Sequence, residues 1–447
     1  MKTRLTRSLS LILAAILLLP PLSGCGKKGA TLDDLQPTDE LVIYLPQKAG
    51  IDASERVMTS EYVTPFRDLY GEDVRVRLVV VPGGIEEYEE RVVNEVMGGG
   101  GPDVLFLSFL PHMDVEKAAR NHSFYDLTDL LASDPDFREE DYVDGVMDAV
   151  KLGGRQYTVP LTYIPPVYLA DRNRLNALDF SWDRIGKTSD FLEELTRMSK
   201  ETAGDEDTLQ VLQSRNCFRE LLSFSGIRLL DYENQTVLPD EAAFRDFMEC
   251  YKPFFPYDYS ETEEFDHWRS RSRAVAQGSI VFFPEVEAQR PGGSILTIQA
   301  APGGAYAMGV LPGQNGQRTA QVGTQLAVSG GSKNVRNAYN FIRMMLSEEL
   351  QGLTLHGFNL GSPVNRKTIE DAVYGHGRFR DSCAFLPEEE QDAIVRHYTE
   401  MERFIWPVAA TALDLTWESM LPWMQDEKSY EDCLAELKSK LTFYMSE

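Results

Sequence analysis

Basic charge, histidine, cysteine and long apolar runs are all scarce in this chain of 447 residues, and each scarcity removes a class of function. Basic residues number 44 against 70 acidic ones, for a formal charge of −26, and no lysine- or arginine-rich stripe offers the footprint that nucleic acid needs. The six histidines (His112, His122, His267, His356, His376 and His397) stand far apart without metal-ligand spacing, and HExxH, GxSxG and calcium-loop signatures are missing. Five cysteines include no CxxC pair, which argues against a zinc or dithiol site and leaves the pairing of Cys217, Cys250, Cys383 and Cys433 open. The longest markedly apolar stretch, Leu9–Leu19, is too short to span a bilayer as a permanent helix.

What the N-terminus does have is a processing signal. Lys2, Arg4 and Arg7 precede that apolar stretch, and "LSGC" at Leu22–Cys25 follows it, the order of a secretory signal peptide. Residues 1–24 are therefore expected to be removed. Residues 25–40, polar and without apolar periodicity, read as a tether.

Beyond it, strand and helix signals alternate. "LVIYL" at Leu41–Leu45 and "VRVRLVVV" at Val74–Val81 read as strands, and Ile85, Tyr88, Val92 and Val96 recur at helical spacing. The stretch "VMGGGGPDVLFLSF" at Val96–Phe109 then raises the question of a phosphate loop. A P-loop needs GK[ST] and a helix after the glycines, whereas here a helix comes before them and a strand after. The glycines therefore read as a helix end, with Pro102 preventing its resumption. This β-α-β order predicts an α/β lobe with a largely parallel sheet. Pro160, Pro165 and Pro166 interrupt "YTVPLTYIPPVYLADRNRL", which reads as an extended crossing segment. Further strands are expected at "SIVFFP" and "YAMGVLPG", and a helix in which Val335, Ala338, Ile342 and Met345 form one face.

"LSGC" closely resembles the lipobox of bacterial lipoproteins, and the order of segments behind it resembles the extracellular solute-binding proteins, family 1, of ABC importers. The resembling stretches are "GPDV" at Gly101–Val104, "YTVPLTY", "YLADRNRL", "YAMGVLPG", "GTQLAVSGGSKNVRNAYNFIRMMLSEELQ", "LGSPVNRK" and the terminal "ELKSKLTFYMSE". The chain departs from the family in "YLADRNRL", which lacks a tyrosine–asparagine pair. In "FFPEVEA", Glu285 stands where sugar binders often carry a tryptophan.

The resemblance implies a two-lobed periplasmic-binding-protein-like α/β fold of type II, each lobe a sheet flanked by helices and joined by hinge crossings. It assigns residues 41–160 and 308–360 to the N-terminal lobe, and 161–307 and 361–447 to the C-terminal lobe. It implies a non-enzymatic monomer without cofactor or metal, lipid-modified at Cys25 on the outer face of a bacterial cell membrane, that captures a small solute and passes it to a membrane permease. Strand-end geometry selects Tyr44, Gln47, Ser108 and Phe109 as solute contacts. The crossing strand adds Tyr163, the second lobe Glu285, the returning strand Thr324 and the C-terminal region Trp406. Aromatic rings beside Glu, Gln, Ser and Thr suit a sugar or oligosaccharide. A polyamine or peptide ligand, or a lipid-anchored glycan-active hydrolase, is the alternative.

Overall fold

The computed structural model describes residues 30–47, 58–202, 210–213, 216–258, 271–352, 361–377, 379 and 382–446. Strands β1 (Glu40–Pro46), β2 (Arg75–Val81) and β3 (Val104–Phe106) begin the first lobe. β1 and β2 run parallel in the register Glu40↔Arg75 to Pro46↔Val81, and Ile43 of β1 pairs with Val104 of β3. From Leu41 to Pro46 the central strand β1 is buried on both faces, which explains its unbroken apolar run.

The helix Ile85–Met97 buries Tyr88, Val92 and Val96 and ends at Gly98, after which Gly99 (φ 76°) and Gly101 (φ 87°) take left-handed conformations. Asp103 then locks the corner. Its buried carboxylate accepts from Val42 N at 2.8 Å, Ser332 Oγ at 2.7 Å and Asn334 Nδ2 at 2.9 Å, tying β1 to the segment 332–334.

The proline-rich stretch is extended as far as Asp171, but its end, expected to be extended too, turns into the helix Arg172–Ala177 capped by Asp171. It forms β4 (Val159–Pro160), β5 (Thr162–Ile164) and β6 (Val167–Asp171), carrying the chain out of the first sheet, through a hinge and into the second lobe. There β7 (Gln210–Leu212), β8 (Ile280–Pro284) and β9 (Tyr306–Val310) join β6 in the order β9-β6-β8-β7. The chain returns through β10 (Thr319–Val322) to β11 (Gln325–Val328), and later contributes β12 (Ser362–Pro363) and β13 (Arg403–Ile405). The first sheet is thus β2-β1-β3-β11-β4, and the crossing strands form a hinge sheet, β12-β5-β10-β13. Each lobe therefore connects through strands that hydrogen-bond one another at the hinge.

Three expectations need correction. The first sheet is parallel only across β2-β1-β3, because β11 enters antiparallel, with Leu326 opposite Phe106. The lobe boundaries also shift. β9, partly assigned to the first lobe, pairs with β6 from Tyr306↔Asp171 to Val310↔Val167, and the helix Arg366–Tyr374 is fastened to the first lobe by Arg366 Nε donating to the Tyr142 carbonyl at 3.0 Å. Finally, part of the expected tether is docked. Leu32 is buried and its N–H donates to Ser133 Oγ at 3.1 Å, while Asn337 Nδ2 donates to the Thr38 carbonyl at 2.6 Å.

Among the described residues, Cys217, Cys250, Cys383 and Cys433 form no disulfide. Among the described residues no helix is long and apolar enough to cross a membrane, and no cluster of His, Cys, Asp or Glu has the arrangement of a metal site. Cys25 and residues 1–24 lie outside the described residues.

Candidate functional site

A pocket of about 220 Å³ opens where the two lobes and the hinge meet. The first lobe contributes Asp114, Glu116 and Ala149, the second Gly226–Leu230 and Tyr232, and the hinge the segment Arg403–Ala409. Larger hollows of about 500 and 870 Å³ lie wholly on the first lobe, so a ligand there would not bridge the lobes.

The hinge segment explains the pocket's aromatic wall. β13 runs parallel to β10 as far as Ile405 opposite Gln321, and Pro407 then bars further strand pairing until a helix begins at Ala410. Trp406 is left at the strand exit, half-buried against the hinge core and lining the pocket.

On the facing wall, Asp114 caps the helix Val115–Arg120, accepting from Lys117 N at 2.9 Å through Oδ1. Its Oδ2 accepts from the Tyr232 hydroxyl of the other lobe. Burial, then the adjacent Asp114 carboxylate, holds the Tyr232 phenol well above its ordinary value, so it remains a donor. A second link spans the lobes nearby: Lys117 Nζ donates to the Tyr444 carbonyl at 3.2 Å and lies 5.7 Å from the Tyr444 ring centre.

The walls carry opposite charge. Glu116 pairs with Arg120 at 2.7 Å, but burial raises its carboxyl pKa despite that partner, and Asp114 and Asp231 add to the rise. Across the pocket, Arg228 pairs with Asp231 at 3.2 Å and Asp240 at 3.4 Å, and Arg403 Nη1 donates to the Gly226 carbonyl at 3.3 Å. Burial and then Arg228 lower the Arg403 pKa, with Asp240 opposing. An aromatic plane between carboxylate and guanidinium walls suits a ligand with an apolar ring face and polar edges.

Of the eight residues expected to touch solute, only Trp406 lines this pocket. Tyr44 is buried, with its hydroxyl donating to Glu95 Oε2 at 2.7 Å and Arg91 lying 5.1 Å from its ring centre. Phe109 packs edge-on against Tyr88, with 5.9 Å between ring centres. Tyr163 is wholly buried, donating to the Tyr398 carbonyl at 2.6 Å and meeting Phe404 edge-on at 5.4 Å. Thr324 is buried where its N–H donates to Thr162 Oγ1 at 2.8 Å, and Glu285 accepts from Ser294 Oγ at 2.7 Å. These five side chains face the packed interior because the hinge sheet and neighbouring helices close over them. Gln47 and Ser108 are exposed but do not line the pocket.

Sequence reasoning missed Asp114, Glu116, Tyr232, Arg228 and Arg403. For Asp114 a signal existed: it lies further along the loop after β3 that strand-end geometry selects. Nothing local distinguishes Arg403 from the other arginines.

No family model and no curated protein matches the sequence. Solved structures do match. The sugar-binding protein MalE from the phytopathogen Xanthomonas citri is 16% identical, covering 91% of this chain and 97% of its own with a TM-score of 0.65. A putative oligosaccharide periplasmic-binding protein from Synechococcus sp. MITs9220 is 16% identical, covering 91% and 99% with a TM-score of 0.61. An extracellular solute-binding protein family 1 from Alicyclobacillus acidocaldarius is 11% identical, covering 93% and 100% with a TM-score of 0.57. The chain has the two-lobed fold that these binding proteins share.

Proposed function

We propose that this protein is the extracytoplasmic solute-binding component of an ABC importer, held to the membrane through a lipid on Cys25, and that its solute is a sugar or oligosaccharide. The observation that carries this reading is the pocket itself, walled by both lobes and by the strand exit that joins them. A solute touching both walls favours the closed arrangement by its differential affinity, and closure creates the surface a permease recognises. Trp406 supplies the stacking plane, while Asp114 and Glu116 accept from hydroxyls. The sugar- and oligosaccharide-binding proteins that share the fold support a saccharide.

A hydrolytic role fits the pocket poorly. Glycosidases set two carboxyl groups on either side of the scissile bond, about 5 to 10 Å apart. The lining carboxylates Asp114 and Glu116 sit two residues apart on one wall, and both are already engaged by neighbours.

The test is thermal unfolding with mono- and oligosaccharides, polyamines and peptides. A ligand at a hundred times its dissociation constant adds about 2.7 kcal/mol, a shift of several degrees. A shift with polyamines or peptides alone overturns the saccharide reading. Shortened products after incubation with oligosaccharides overturn the binding-protein reading.

A further inference from the structure

Of the four charged side chains on the pocket wall, Asp114, Glu116 and Arg228 have side-chain or capping partners for their charged groups, and Arg403 does not. Asp114 is satisfied by Lys117 N and the Tyr232 hydroxyl, Glu116 by Arg120, and Arg228 by Asp231 and Asp240. Arg403 differs. Among the described residues it has no carboxylate within ion-pair distance, and one guanidinium nitrogen reaches only a backbone carbonyl, Gly226 O at 3.3 Å. A guanidinium carries five N–H donors in a planar fork, so most of its capacity remains unused in a half-buried position.

From this arrangement we propose that the pocket takes an anionic saccharide, and that Arg403 is the side chain that pairs with its acidic group. The inference rests on the saccharide reading above and narrows it. Arg403 and Trp406 both line the pocket from the same hinge segment, so one ligand in it can meet an aromatic plane and a guanidinium together. The opposite wall imposes direction: Asp114 and Glu116 repel an anion and accept from hydroxyls, leaving the Arg403 side as the favourable place for negative charge. The lowered Arg403 pKa is consistent, since it reflects burial and repulsion by Arg228 that an incoming anion would relieve.

Isothermal titration of the full chain with matched pairs tests this: digalacturonate against neutral galactobiose, and a sulfated against an unsulfated disaccharide, each in low and high salt. The expected result is an acidic member bound at least about ten times more tightly than its neutral counterpart, with the preference shrinking in high salt. Preference confined to the uronate or to the sulfated pair identifies which acidic group is recognised. Arg403→Met should weaken the acidic ligand about 10- to 100-fold, bringing it down to the neutral one, and Arg403→Lys should retain part of the preference.

Neutral sugars bound as tightly as their acidic counterparts overturn this inference alone. No binding by any saccharide overturns it together with the saccharide reading. If Arg403→Met does not fold, the wild-type pairs and Arg403→Lys still decide.

Discussion

Trp182 and Trp406 are chemically identical and both partly buried, yet one is held among aromatic rings and the other faces a pocket. Trp182 is stacked on Phe191 with 5.7 Å between ring centres, meets Phe180 and Phe282 edge-on, and lies against the backbone of β9 at Gly309. Trp406 sits at the end of β13, half covered, facing a pocket. What separates them is the chain around each. A sheet and the helix Thr188–Thr202 close over Trp182, whereas Pro407 ends pairing beside Trp406 and leaves one face open. Trp182, at the start of the turn Trp182–Arg184, is packed by rings brought from other elements, whereas Trp406 follows a strand that no further pairing covers.

The largest expected effect breaks the packed side of that comparison. Phe282→Ala removes the ring shared by Phe180, Trp182 and Phe191 and should cost about 3 to 5 kcal/mol in chemical denaturation. A cost below 1 kcal/mol would mean that this cluster is not the core of the second lobe.

Next is Gly309→Ala. An added Cβ would stand 2.2 Å from the Trp182 ring, so the indole must move, and overpacking of this kind costs about 1 to 3 kcal/mol. Tryptophan fluorescence should shift in parallel; an unperturbed spectrum and stability would show that the contact is loose.

On the open side, Trp406→Ala should cost about 1 to 2 kcal/mol, less than Phe282→Ala, because only part of its ring packs against the hinge core. Solute affinity should fall at least about tenfold, the value of a lost aromatic plane near 1.4 kcal/mol. A large stability loss with intact affinity would place Trp406 with Trp182.

A subtler contrast concerns pH. Burial, then the Arg318 and Arg396 guanidinium groups, push the His397 imidazole down to about 4, with Glu400 opposing. The folded state disfavours the proton, so this contribution to stability is full above about 6.5 and is lost as pH falls toward 4. His397→Gln should flatten the unfolding-temperature profile between pH 7 and 4, and an unaltered profile would sink the assignment. Smallest of all, Tyr232→Phe removes the bond to Asp114 across the pocket and should weaken solute binding a few-fold, about 1 kcal/mol, read by titration.

Features legible in the sequence were those whose cause is local. The glycine corner is legible because Gly99 and Gly101 follow a helix and Pro102 bars its continuation. The crossing segment was legible because Pro160, Pro165 and Pro166 force extended backbone. Strand-end position marks Tyr44 and Phe109, and the crossing strand marks Tyr163, yet their rings or hydroxyls meet Glu95, Tyr88 and the Tyr398 carbonyl in the protein interior. Which face of a strand end is covered depends on helices distant in the chain, and no spacing rule carries that information.

By itself the sequence determined the alternation of elements, the extended crossings and the corner that launches β3, since each follows from backbone preferences of a few neighbouring residues. Tertiary structure alone decided the pocket. Asp114, Tyr232 and Arg403 come from two lobes and the hinge, and they meet only because crossing strands pair with one another and bring both lobes to the same edge.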